Sequence, residues 1–188
     1  MSNTNKNQAT KVVTGEVRFS YLHVFAPHAV EPGQPEKYSS ALLIPKSDKK
    51  TLTAIKNAVE AAKVAGTATL GGKVPANLKT PLRDGDVDRP DQEEYAGHYF
   101  LNANSTNKPG VVDQYVQPIL DSTELYSGCY GRASINFYAY NKNGNKGIAC
   151  GLNNVQKIRD GDTLGGRSRA EDDFDAVETD EGEDDFLS

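Results

Sequence analysis

Between Gly128 and Lys157 apolar and polar positions alternate on either side of Asn143-Gly144. Asn-Gly between two such runs is the strongest short hairpin signal, because both central residues of the tight turn need φ > 0. With those two at the turn, Lys142 faces Asn145, Tyr140 faces Gly147, Tyr138 faces Ala149 and Asn136 faces Gly151. Side chains alternate faces along a strand. One face then carries Cys129, Ala133, Ile135, Phe137 and Ala139, continued across the turn by Ile148, Cys150 and Leu152: a core face. The other carries Tyr130, Arg132, Ser134, Asn136, Tyr138 and Tyr140, the last three of these opposite only Gly147, Ala149 and Gly151. The pattern predicts an open aromatic platform with room for something flat.

The rest of the chain repeats the period of two and leaves it once. Lys11 to Phe25 reads as a long strand bent at Gly15 and broken at Ala26-Pro27, and Lys37 to Ile44 as a second, stopped by Pro45. Leu52, Ile55, Val59 and Ala62 recur at spacings of three and four, which predicts a helix over 47–65, started by Ser47 or Asp48 and ended by Gly66. Its lysines, Lys49, Lys50, Lys56 and Lys63, read as a solvated face. Residues 66–96 have no period and hold Gly71-Gly72, Pro75, Pro81 and Pro90, so a long loop is expected. His98 to Ser105 alternates as a strand, with Tyr99, Leu101 and Ala103 on one face, and a short strand broken at Pro118 follows Pro109-Gly110. Five to seven strands, one helix and no βαβ alternation predict a mainly β fold. It is either a small OB-type Greek-key barrel with long loops or a sandwich.

Composition adds a division that the pattern does not show. Apolar residues make up 37% of 188, low enough that part of the chain is expected to stay unpacked. Residues 170–188 hold ten acidic groups and no Lys or Arg, so residues 1–169 balance 21 basic against 16 acidic, a charge of +5 under a net −5. A disordered N-terminus (1–10), a β domain (11–160) and a flexible connector with an acidic tail (161–188) follow. Within the tail, Asp184, Asp185 and Phe186 form an acidic-aromatic hook for a partner. The two cysteines fall on the core face, Cys150 opposite Phe137, which predicts two buried thiols and no disulfide. No run has the apolar length of a membrane span.

Chemistry is sparse. His23, His28 and His98 lack zinc spacing, and no nucleophile, phosphate-loop or dinucleotide motif is present. Asp84, Asp86 and Asp88 mimic the start of a calcium loop, but Arg89 and Tyr95 stand where that loop needs Gly and Glu. No metal, cofactor or catalytic residue is expected. The one enzyme reading kept is a nuclease using those three aspartates as metal carboxylates.

A nucleobase matches the open face better, since every base has a π-face and aromatic side chains stack on it. The expected stacking residues are Tyr130, Tyr138 and Tyr140, with Arg132 beside them and Arg18, Lys79 and Arg83 as backbone contacts. The alternative from another class is a structural or assembly protein whose hairpin face is covered by a neighbouring subunit.

Longer strings carry a resemblance. FSYLHVFAP, KYSSALLIPKSD, PLRDGD, GHYFLNANS, KPGVVD, LYSGCYGRASINFYAYN and GIACGLNNVQKIRDGD, with the acidic terminus, resemble a family of bacteriophage single-stranded-DNA-binding proteins with an OB fold and an acidic C-terminal tail. The resemblance implies sequence-tolerant binding of single-stranded DNA in phage replication or recombination, in the cytoplasm of the infected bacterial host. It also implies a tail that contacts replication or recombination proteins and competes with DNA. A homodimer stays open.

Overall fold

The computed structural model describes residues 9–164 and 174–177. In chain order it has β1 (Lys11–Val13), β2 (Val17–His28), β3 (Lys37–Pro45), helix α1 (Lys49–Ala65) and β4 (Arg83–Asp84). There follow the short helix α2 (Gly85–Asp88), β5 (His98–Ser105), β6 (Gly110–Val112), β7 (Tyr130–Lys142) and β8 (Asn145–Arg159). β2 pairs with β3, β3 with β5, β5 with β8, β8 with β7, and β7 with β2, so five strands close a ring. Within this ring, among the described residues, the β5–β8 pairing alone is parallel. This is an OB-type barrel. β1 extends β7, β6 extends β8, and β4 pairs with β5 outside the ring.

The β7–β8 hairpin has the expected register, Tyr138 opposite Ala149 and Phe137 opposite Cys150. Asn143 (φ 53°) and Gly144 (φ 87°) make the turn that their types favour. Phe137, Ile135, Ile148, Cys150 and Leu152 are buried in the barrel with Phe19, Leu42, Ile44 and Leu101. Both cysteines are free and buried, and burial raises both thiol pKa values. Two slips were not legible in the sequence. Ser134 pairs with Asn154 but Ile135 with Leu152, and Tyr130 pairs with Arg159 but Gly131 with Lys157. Each slip leaves an unpaired residue on β8 and coils the long hairpin around the ring.

Helix α1 covers the barrel through Leu52, Ile55, Ala58, Val59 and Ala62. Asp48 caps it, its carboxylate accepting from Thr51 N at 3.1 Å. Gly66 ends it against β7, where a Cβ would fall 2.3 Å from the Ala139 Cβ.

Three expectations are corrected. The single strand over 11–25 is two, parted at Thr14, whose hydroxyl accepts from Ala133 N at 3.0 Å. Ala26-Pro27 does not break β2, because its pairing with β3 slips between His23 and His28, where proline's missing N–H goes unneeded. Residues 66–96 are not a structureless loop. They carry β4 and α2, and they bury Tyr95 with Leu43 and Phe100 in a second small core on the outside of the barrel.

The chain stays on the barrel beyond β8. Arg18 donates from Nε to Gly128 O at 3.0 Å and from Nη2 to Asp162 O at 2.7 Å. Leu164 N donates to Ser127 O at 2.8 Å, and its side chain packs on the Tyr95 cluster.

Candidate nucleic-acid interface

Pairing across the closed ring sets directly opposed residues in rows. One row on the outer face runs His23, Ser39, Asn104, Gly151, Asn136, Lys11 across six strands. Inward-facing Leu42, Leu101, Cys150 and Ile135 alternate with it, which places the row on the solvent side. Two residues along, Ser20, Ala41 and Asn102 are opposed on one half and Ala149 and Tyr138 on the other. Of these, Ser20 and Ala41 are buried, the Tyr95 hydroxyl donating to Ser20 Oγ at 3.4 Å, so the open floor is Asn102, Asn104, Ala149 and Asn136 and ends on Tyr138.

Tyr138 is 43% exposed on β7 and borders a cavity of about 230 Å³ with Lys37, Asn104, Ser105, Asn136 and Asn153. Partial burial raises its phenol pKa. Tyr21, on β2 beside Ser20, is 58% exposed. It sits in the slip between Ser20 and His23 with φ 48°. A bulky residue at positive φ is strained, and such strain gathers at functional sites. From β2 to β7 the row passes around the ring over four strand spacings of about 4.8 Å, with the Tyr95 hydroxyl over Ser20 on the way.

The rim is basic. Lys37 borders the cavity, Lys108 stands 5.7 Å from the Phe25 ring centroid, and Lys11 ends the row. His23 and His28 stack at 4.2 Å on the same edge, and burial, then the charge of His28, lowers the His23 pKa. The lowered pKa keeps charge off His23.

The structure separates the residues expected from sequence. Tyr138 is on the floor. Tyr140 lies across Gly147, where a Cβ would be 2.6 Å from its hydroxyl, so the glycine makes room for this ring and not for a ligand. Tyr130 carries Arg159 at 3.8 Å and Arg18 at 5.3 Å from its ring centroid, so cations of the protein already stack on it. Arg18 donates from Nε and Nη2 to Gly128 O and Asp162 O. Arg83 donates to Asp88 at 2.9 Å and lies over Phe100. Lys79 is exposed beside β8, its carbonyl accepting from Ile148 N. Arg132 stands six residues from Tyr138, at a different concavity. Asp184, Asp185 and Phe186 lie outside the described residues.

The aspartates kept for a nuclease are committed elsewhere. Lys46 Nζ bridges Asp84 (2.8 Å) and Asp86 (2.7 Å), Asp86 also accepts from Gly97 N, and Asp88 holds Arg83. Lysine or arginine thus holds one oxygen of each of the three carboxylates.

Tyr21, Lys37, Asn104 and Lys11 were missed because only barrel closure brings β1, β2, β3 and β5 onto one face with β7. One signal was readable. The buried positions Val17 and Phe19 give way to Leu22 and Val24, a one-residue slip in the alternation that marks a bulge at Tyr21.

Known proteins resemble the chain over most of its length. The family model described as Enterobacter phage Enc34, ssDNA-binding protein matches residues 10–187. Protein p50 of Acyrthosiphon pisum secondary endosymbiont phage 1 is 32% identical over 163 residues, covering 83% of this chain and 87% of that one. The single-stranded DNA-binding protein of bacteriophage Enc34, solved in complex with ssDNA, superposes with a TM-score of 0.71 at 29% identity, over 85% of this chain and 94% of that chain. A C-terminally truncated form of the same phage protein gives 0.73 at 27% identity, over 85% and 93%. The chain belongs to the Enc34 phage family of ssDNA-binding proteins.

Proposed function

We propose that this protein binds single-stranded DNA without sequence preference during phage replication or recombination, as a binding protein and not an enzyme. The observation that carries the reading is exposed Tyr138 beside the polar cavity of Lys37, Asn104, Asn136 and Asn153 on the outer face of an OB barrel, with exposed Tyr21 farther along the same face. OB folds bind oligonucleotides on this face, across the second and third ring strands and the adjoining loops. Bases stack on the two tyrosines, Asn102 and Asn104 meet base edges or sugars, and Lys11, Lys37 and Lys108 draw the phosphates by counterion release. Family membership supports the same ligand.

The acidic tail is read as a competitor and a hook. Its carboxylates compete with DNA for the basic rim, and Asp184, Asp185 and Phe186 engage a replication or recombination protein. Phe186→Ala is expected to abolish that contact, read by pull-down from infected-cell extract, and to leave DNA affinity unchanged.

The test is titration of labelled oligo(dT) with the full chain, Tyr21→Ala and Tyr138→Ala. Each substitution is expected to weaken binding with the melting temperature unchanged. Parental affinity in both folded variants would remove this face as the site and leave the subunit-contact alternative.

A further inference from the structure

Beyond Asn136 the outer face of β7 continues to Ser134 and Arg132, and a second concavity of about 160 Å³ opens there. Val13, Val112 and Val116 wall it, Ser134 and Asn154 lie in it, and Arg132 stands at its edge. Arg132 Nε donates to Thr14 O at 2.8 Å, which fixes the guanidinium in place. The loop carrying Val116 is equally fixed. Asp113 Oδ1 accepts from Tyr115 N at 2.8 Å and Gln117 N at 3.0 Å, and Gln156 Nε2 donates to Asp113 O at 3.3 Å. This rigid loop holds Val116 at φ 63°, 66% exposed. A β-branched residue at positive φ is an outlier, and here its side chain is offered to solvent.

We propose that this concavity is a second subsite for single-stranded DNA, in which a base enters between the valines while Arg132 meets the adjoining phosphate. The inference rests on the reading of the first face as a DNA site. Three features single out DNA as the occupant. The two concavities lie on the same face of one strand, Asn136 lining the first and Ser134 the second. Lys11, opposite Asn136, stands between the two and supplies charge along the path. Its own cation, Arg132, suits a phosphate, and its apolar walls suit a base face. Six residues of β7 separate Tyr138 from Arg132, about 20 Å at strand rise, so one strand of several nucleotides must bridge them.

The experiment titrates the full chain and its variants Val116→Gly, Arg132→Gln and Tyr138→Ala with oligo(dT) of about four and about twelve nucleotides, the span of sizes one OB fold covers. Glycine suits φ 63°, so Val116→Gly retains the fold, and Arg132→Gln stands as an independent variant; thermal melts check both. Each is expected to weaken the long oligonucleotide about tenfold, the scale of one lost base contact, and to leave the short one unchanged. Arg132→Gln should also lower the salt slope on the long oligonucleotide by about 0.7. Tyr138→Ala weakens both lengths and reports on the first face. Loss on neither length, or equal loss on both, overturns the second subsite while the Tyr138 result still stands. A parental chain that binds neither length overturns both readings together. A change of oligomeric state in Val116→Gly without loss of long-oligonucleotide affinity would assign the concavity to a second copy instead.

Discussion

Neighbouring residues on β7 have opposite roles. Phe137 is buried in the barrel opposite Cys150, and Tyr138 faces out opposite Ala149. Phe137→Ala is expected to cost about 3–5 kcal/mol of stability in chemical denaturation, as a large core truncation. Tyr138→Ala should leave stability nearly unchanged and weaken oligo(dT) binding by about 1–3 kcal/mol, one stacked base. A Phe137→Ala protein that unfolds at the parental denaturant concentration would mean that the faces are exchanged, since a one-residue slip moves every side chain across the sheet. Gly131 is a tighter constraint. A Cβ there would lie 2.0 Å from Gln156 O and 2.9 Å from the Phe19 ring, where β7 closes on both neighbours. Gly131→Ala should therefore destabilise by at least about 1–3 kcal/mol, because backbone must move to admit the methyl group. A melt equal to the parent's would refute that crowding.

At the scale of elements, what could be read depended on where the determinant lay. The hairpin was legible because Asn143-Gly144 and an unbroken alternation specify it within thirty residues. Helix α1 was legible for the same reason: its stripe, its Asp48 cap and Gly66 are all local. The 66–96 segment was not, because its anchors come from afar. Lys46, at the end of β3, holds Asp84 and Asp86 some forty residues on, and Tyr95 finds its partners on β3 and β5. The candidate interface was half legible on the same grounds: Tyr138 belongs to the hairpin, whereas Tyr21 and Lys37 join it only when the ring closes. The Lys46 bridge also predicts a pH response. The hydrogen bond from Lys46, then that from Gly97 N, lowers the Asp86 pKa below its usual 3.8. Its contribution is complete above the ordinary carboxylate range and is lost as pH falls through the lowered value. Melting temperature should thus fall more steeply below about pH 4 in the parent than in Asp86→Asn, which is expected to start lower at neutral pH and to titrate less. Parallel curves for the two proteins would show that this bridge adds nothing.

The whole molecule is a cation with an anionic extension. Residues 1–169 carry +5 and residues 170–188 ten acidic groups. Leu164 is held against the Tyr95 cluster, on the outer face of β3 and β5, so the extension starts beside the candidate floor. A random coil of 24 residues, the number from Gly165 to Ser188, would reach about 25 Å. Deleting residues 170–188 is expected to tighten oligo(dT) binding at low salt, with the gain shrinking as salt screens the charges. Equal affinities of the two forms at low ionic strength would refute competition by the tail.

Ring closure by the last strand has a temporal consequence. β2 closes on β7 through Val17 with Gly131, and β5 on β8 through Asn104 with Gly151, partners far apart along the chain. Contacts of such separation are reached late, since a long loop must be ordered before any pairing offsets its entropy. A nascent chain lacking β8 has an open seam along β5 and β7, two strand edges free to pair with other chains. Until residues 145–159 are made, the barrel is at its most prone to aggregate, and the protein's solubility during synthesis is decided by how soon its last strand arrives.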